Sequence, residues 1–286
     1  MVSYGIMQGR LTEPKGRGIQ FFPFDNWEKE FGMAAEIGLN EIEFIFDYDN
    51  YQRNPLWTAD GRNTLKGLIA TTGVKVHAVC FDYFMRRAFY RADLSRQAEL
   101  RKENAVILKT VLHAMCELKI PLIEIPLVDD SSLRSQENKE QFRDFLLEIA
   151  DKIEWNINFG LETDLPPKEF REYLNWFGSE NIGANYDSGN SSGLGYDMYE
   201  EITTLREKIF NIHIKDREYH GTTVALGAGS ADFEGMFRGL REIGYQGAYI
   251  LQAARGIEGE EKENIINQLT FLKTYTEALE GSTESE

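Results

Sequence analysis

Short apolar runs alternate with longer stretches of helical periodicity along the whole 286-residue chain. Side chains on a strand point alternately to its two faces, so runs with every second residue apolar predict strands. They fall at Ser3–Gln8, Glu41–Phe46, Lys75–Cys80, Pro121–Pro126, Asn156–Glu162, Ile182–Tyr186, Ile209–Ile214 and Ala248–Gln252. Each is followed by apolar residues three and four apart, which predict helices at Asn26–Ile37, Gly61–Thr72, Glu99–Leu118, Lys139–Ile153, Lys168–Phe177, Asp197–Leu205, Phe233–Ile243 and Glu260–Leu279. Pro166-Pro167 opens the fifth helix, and Gly38 and Gly73 follow the first and second as C-caps. The units average roughly 36 residues, the spacing of an α/β fold closed as a single (β/α)8 barrel. The barrel is expected over residues 1–279, with 280–286 (EGSTESE) a flexible tail. A doubly wound open sheet is the competing architecture, but its glycine-rich first turn is missing.

The two faces of the strands differ. In Ile209–Ile214, Phe210, Ile212 and Ile214 share one face, while Asn211 and His213 share the other. Asn158, Gly160 and Glu162 likewise oppose Ile157, Phe159 and Leu161, and Gly183, Asn185 and Asp187 oppose Ile182, Ala184 and Tyr186. The uniformly apolar face is expected to meet the helices. The other face then ends, inside the barrel, in Gln8, Glu43, His77, Glu124, Glu162, Asp187, His213 and Gln252. Barrel enzymes place their active sites at the C-terminal ends of the strands. A ring of buried polar groups is costly without a ligand or metal, so a functional site is expected there.

Composition narrows the partner. Lys and Arg number 31 against 47 Asp and Glu, a net charge of −16. That balance disfavours nucleic acid, whose affinity rests on clustered Lys and Arg. No apolar run approaches the roughly 20 residues of a membrane helix. The start, MVSYGIMQGR, lacks a basic stretch followed by an apolar core, so a cytoplasmic protein is expected. Cys80 and Cys116 form neither a ligand motif nor a disulfide framework.

Glu162, Asp187, His213 and Gln252 end four consecutive strands. Two carboxylates, an imidazole and an amide oxygen suit a divalent cation, Mn2+ or Mg2+ first, with Zn2+ or Co2+ as alternatives. Each residue also has a plain role: a cap, a turn former, a core histidine, a backbone-bonded amide. Lys215, Arg217, Arg255 and Arg10 lie beside them, and such cations can hold a carboxylate, phosphate or sugar hydroxyl. Glu43, His77, Glu124 and Asn190 are further candidates for substrate contact. The turn Leu226-Gly227-Ala228-Gly229 reads as a plain loop, with phosphate binding as the alternative. Cys80 to Met85 reads as an apolar wall or lid. Phe21, Phe22, Phe24 and Trp27 read as packing of the first helix, and Arg91, Arg96 and Arg101 as a solvated face.

The pieces Met7-Gln8-Gly9-Arg10, Leu161-Glu162-Thr163-Asp164, Asn185-Tyr186-Asp187-Ser188-Gly189-Asn190, His213-Ile214-Lys215-Asp216-Arg217 and Leu226-Gly227-Ala228-Gly229 resemble the sugar phosphate isomerase/epimerase group of the xylose isomerase-like TIM barrel superfamily. The resemblance implies a metal held by Glu162, Asp187, His213 and Gln252. It departs from the family pattern at Gln252, where many members carry a second acid/base carboxylate, and at Asn190, where many epimerases carry a His. The expected activity is metal-assisted proton transfer beside the carbonyl of a sugar or sugar phosphate, through an enediolate, with Glu162 as base. Gln252 cannot shuttle a proton, so isomerisation with one base is expected ahead of epimerisation. Glu43 or Glu124 is the stand-in second carboxylate. A dehydratase or lyase of a polyol-derived ketone and a sugar-binding barrel without turnover are the alternatives. A nuclease is disfavoured, and a homo-oligomer is left open.

Overall fold

The computed structural model describes residues 2–150 and 157–280. The expected start of the fifth strand at Asn156, the end of the fourth helix beyond residue 150 and the tail at 281–286 lie outside these residues. Seven parallel strands, β1 (Ser3–Met7), β2 (Glu41–Ile45), β3 (Ala78–Cys80), β4 (Leu122–Leu127), β5 (Asn158–Thr163), β6 (Ile182–Asp187) and β7 (Ile209–Ile214), are hydrogen-bonded side by side. A short antiparallel hairpin follows, β8 (Asp216–Arg217) with β9 (Thr223–Val224). The last strand, β10 (Ala248–Leu251), pairs with both β7 and β1 and closes the barrel.

Helices separate the strands: α1 (Trp27–Ile37), α2 (Ala59–Thr72), α3 (Phe84–Arg87), α4 (Leu94–Leu118), α5 (Gln136–Ala150), α6 (Pro167–Trp176), α7 (Ser188–Leu194), α8 (Met198–Leu205), α9 (Phe233–Ile243) and α10 (Glu261–Glu280). Gly38 and Gly73 end α1 and α2 with left-handed φ of 86° and 75°, a conformation glycine adopts without strain. The apolar strand faces are buried as expected. Phe44, Ile123, Ile125, Leu161, Ile212 and Leu251 have no exposed surface. Full burial of such side chains is worth about 1.5–3 kcal/mol each. Among the described residues no helix is long and apolar enough to cross a membrane.

Two local features set up the site. The third strand is shorter than its apolar pattern suggested, and Lys75 makes only an isolated bridge to Glu41. Cys80, not His77, therefore stands at the C-terminal end of β3. Between β6 and β7 the register shifts after Ala184, so Asn185 pairs with Asn211 and Asp187 with His213. A bulge moves one strand by a residue against its neighbour. Here it aligns the polar faces of the two strands.

Candidate active site

The strand alternation delivers the expected polar groups to the inside of the barrel, where Glu43, Glu124, Glu162, Asp187, His213 and Gln252 are all buried. His213 Nδ1 lies 3.2 Å from Glu162 Oε2 and 4.0 Å from Asp187 Oδ2. A chain of amides fixes how these groups face. Asn211 Nδ2 donates to Glu43 Oε2 at 2.7 Å and to Asn185 Oδ1 at 2.8 Å. The Asn185 amide nitrogen must then point the other way. It reaches Glu162 Oε2 at 2.8 Å and His213 Nδ1 at 3.1 Å. His213 Nε2 lies 3.1 Å from Glu43 Oε2 and donates its proton there. Nδ1 consequently faces Glu162 and Asp187, where it carries a proton or, on losing it, can ligate a metal ion. Burial alone would lower the His213 pKa, but the adjacent Glu43 and Glu162 carboxylates win and hold it well above the ordinary range.

Asp187 has two roles at once. Its Oδ1 accepts from the backbone N–H of Gly189 and Asn190 and caps α7, while Oδ2 stays on the site side, 3.3 Å from Lys215 Nζ. Lys215 crosses directly over Gly189, where a Cβ would come within 2.5 Å of its side chain. Asn190 Nδ2 donates to Glu162 Oε1 at 2.7 Å. Gln252 donates its Nε2 to Gln20 Oε1 at 3.0 Å, and its own Oε1 is buried with no partner among the described residues. Its backbone N–H donates to Ile214 O, which sets Gln252 beside the end of β7. An orphaned buried oxygen, two carboxylates and an imidazole are donor types that a divalent cation takes, and in that sense the four residues fit one.

Of these groups Glu162 and Gln252, with His213 buried behind Glu162, line a pocket of about 1040 Å3. Its walls include Arg17, Gln20, Phe22, Asp47, Asp82, Arg86, Glu124, Asn190, Lys215 and Arg217.

A model of the xylose isomerase-like TIM barrel family matches residues 31–275. The chain belongs to that family. It is 26% identical over 241 residues, 79% of its own length and 81% of the relative's, to an L-ribulose-5-phosphate 3-epimerase, UlaE, of Salmonella heidelberg. The structure of an L-ribulose 3-epimerase superposes with TM-score 0.76 at 17% identity, covering 99% of this chain and 97% of that one. The IOLI protein, solved with a bound zinc atom, gives 0.73 at 19% identity, covering 96% and 98%. These two structures share the fold.

Within this xylose isomerase-like barrel, several expected residues turn out to do other work. His77 is exposed and lines a depression with Pro121, Asn158 and Tyr245 at the N-terminal end of the strands, the opposite mouth. The reason is the late start of β3. Glu43 is not on the pocket wall; it holds Asn211 and His213 from below. Arg255 donates to the carbonyls of Ile19, Thr12 and Gly9 and stacks on Phe21 at 4.7 Å. Arg10 donates to the carbonyls of Ile19 and Gln252. Neither Arg10 nor Arg255 lines the pocket; both clamp the loop after β1. That loop is further anchored by buried Glu30, which accepts from Gly9 N, Leu11 N and Thr12 Oγ1. The Gly227–Gly229 turn binds no external anion, because the carboxylate of Asp216 takes the N–H groups of Gly227, Gly229 and Ala231.

Other functional residues were not found from the sequence. The stretch after β3 is not an apolar lid: Phe81, Tyr83 and Phe84 pack inward, and Cys80, Asp82 and Met85 face the pocket. Gln20, brought from the loop after β1, donates to Asp82 Oδ1 at 3.2 Å. Burial, and then the nearby Asp47 carboxylate, push the Asp82 pKa up to about 7. Its only signal was one acidic residue inside an aromatic run. Phe21, Phe22 and Phe24 were expected only to pack α1. Phe22 does stack near Trp27 and Phe44, but all three also line the pocket.

Proposed function

We propose that this chain is an enzyme of the sugar isomerase/epimerase type. It moves a proton at the carbon beside the carbonyl of a ketose or ketose phosphate, through an enediolate. The observation that carries this reading is the approach of Glu162 and Asp187 to His213 Nδ1, with Glu162 and the unpartnered Gln252 both on the wall of one open pocket. A divalent cation held by these four residues would supply positive charge to the carbonyl oxygen and its neighbouring hydroxyl.

Glu162 takes the proton from carbon. Asn185 and Asn190 hold one carboxylate oxygen each, so the base is fixed in orientation. Lys215, on the pocket wall beside Asp187, and Arg217, on the hairpin, face the substrate and hold its oxygens. Gln252 cannot carry a proton, so inversion at carbon needs another group. Asp82 is that group in this reading, since it lines the same pocket, is half-buried and is oriented by Gln20. Phe22 and Phe24 help keep water from the reacting carbon.

The name of the curated relative sets the first substrates to test, L-ribulose 5-phosphate and free L-ribulose. Metal-replete protein is incubated with each in deuterated water. Deuterium entering at C3 together with a new epimer supports the reading. Asp82→Asn should keep deuterium exchange into the starting sugar and lose epimer formation by about 100-fold. Loss of water from the product would point to the lyase alternative, and binding with no exchange to a non-catalytic barrel.

A further inference from the structure

The candidate metal centre lies on the β5, β6, β7 and β10 side of the barrel. The opposite arc carries a second group of donors, of which only Glu43 has a task so far. Cys80 on β3 and Glu124 on β4 are register partners and point inward side by side. Glu43 approaches them from β2. One ligand atom from each of Glu43, Cys80 and Glu124 lies within 4.8 Å of the others, and all three residues are buried. Glu124 has no exposed surface, and among the described residues no N–H or O–H group reaches either of its carboxylate oxygens; only the weakly donating Cys80 thiol lies beside them. A carboxylate buried without donors is strongly disfavoured, so something else must compensate it. The same carboxylate also lies within 4.8 Å of a Glu162 oxygen and a His213 nitrogen. It therefore stands between the two arcs.

The cations lie on the other side. Lys215 Nζ sits 3.3 Å from Asp187, and the buried Arg10 guanidinium acts on Asp187 and Cys80. Glu43 and Glu162 are held by Asn211, Asn185 and Asn190. Glu124 is the one of the four carboxylates that no N–H group reaches among the described residues. Cys80 and Glu124 both line the pocket, so an ion has a way in.

We propose that Glu43, Cys80 and Glu124 form a second cation site, with Glu124 shared between it and the Glu162–His213 centre. A thiolate among the donors selects Zn2+ or Co2+ over Mg2+. Binding releases the Cys80 proton to solvent. The proposal does not depend on which sugar, if any, the enzyme turns over.

The test uses the full chain stripped with a chelator and titrated with Co2+ alone, without substrate. The expected result is two Co2+ per chain. One of them should develop the near-ultraviolet charge-transfer band of a cobalt–thiolate bond, and Zn2+ should bleach it. Cys80→Ser should remove that band and one of the two ions. Cys116→Ser, on helix α4, should change neither. Glu124→Gln should also remove the second ion and its thiolate band while the first ion stays bound with shifted visible bands, and it carries the test if Cys80→Ser does not fold. One Co2+ per chain without a thiolate band would overturn the proposal and leave a proton as the partner of Glu124. A band that survives Cys80→Ser would overturn it equally. Failure of the substrate reading alone would show as two ions and no isotope exchange.

Discussion

The two arcs of the barrel mouth are built from the same kind of residue and end in different electrostatic states. On the β5–β7 arc every carboxylate is matched. Glu162 is held by Asn185 and Asn190, and Asp187 by two backbone amides and Lys215. On the β2–β4 arc Glu43 is matched through Asn211 and His213, but Glu124 has only the Cys80 thiol, a weak donor, beside it. Burial, and after it the Glu162 charge, push the Glu124 pKa well above its ordinary range. The first arc is preorganised before anything binds; the second is complete only with a proton or a cation. Preorganised dipoles cost nothing to align during reaction, which is why the base proposed above is placed on the first arc.

The largest effect that bears on this contrast is expected at Glu162. Glu162→Gln keeps the Asn185 and Asn190 contacts in reach but removes the base, and deuterium wash-in should fall by about 10²- to 10⁴-fold. Exchange close to wild type would move the base to the other arc. Next is Gln252→Glu, which adds a negative charge at the metal set. Two unit charges about 4 Å apart attract by about 4 kcal/mol at an effective dielectric near 20, and desolvating the new carboxylate offsets much of the gain, so Mn2+ should bind about ten- to a hundredfold more tightly by calorimetry. Gln20 would have to turn its amide to donate to the new carboxylate, releasing Asp82. Equal affinities for the two forms would take Gln252 out of the coordination shell.

A smaller effect concerns the loop after β1, which carries Gln20 to the site. Burial raises the Glu30 pKa from 4.5 to about 7 despite three hydrogen bonds. Its folded pKa is above its unfolded one, so its contribution to stability is full below 4.5. That contribution is lost as pH rises to about 7, by up to about 3 kcal/mol. Glu30→Gln should flatten the pH dependence of the urea midpoint across that window while lowering stability at the acid end through the lost acceptors. A slope unchanged by the substitution would assign it to other groups. The smallest effect is expected at His77. His77→Ala should leave kcat/KM within about twofold and stability within about 0.5 kcal/mol, because an exposed side chain at the far mouth touches neither arc. A substantial loss of activity would place His77 back among the working residues.

What could be read from the sequence follows from how local each signal is. Glu162, Asp187 and His213 each close a strand whose alternation is unbroken, so face and end are both visible in the pattern. The third strand misled because Lys75, His77 and Val79 alternate regularly although pairing to β4 begins only at Ala78. That moved attention from Cys80 to His77. Arg10 and Arg255 looked like free cations because nothing local shows that the carbonyls of Gly9, Thr12 and Ile19 come to meet them. Gln20 and Asp82 carried no pattern, since loops have no periodicity to betray which way a side chain faces.

Taken alone, the sequence determined the barrel, the order of its units and the three charged donors at consecutive strand ends. Period-two alternation and helix caps are short-range properties of the chain. Only the tertiary structure decided which donors share an electrostatic environment. The one-residue shift between β6 and β7 brings Asp187 level with His213. Barrel closure brings Glu43 against His213, 170 positions apart in the chain, and Gln252 against Gln20, 232 apart. Register and closure are set by packing around the whole barrel, and a slip of one residue would turn each of these groups to the opposite face.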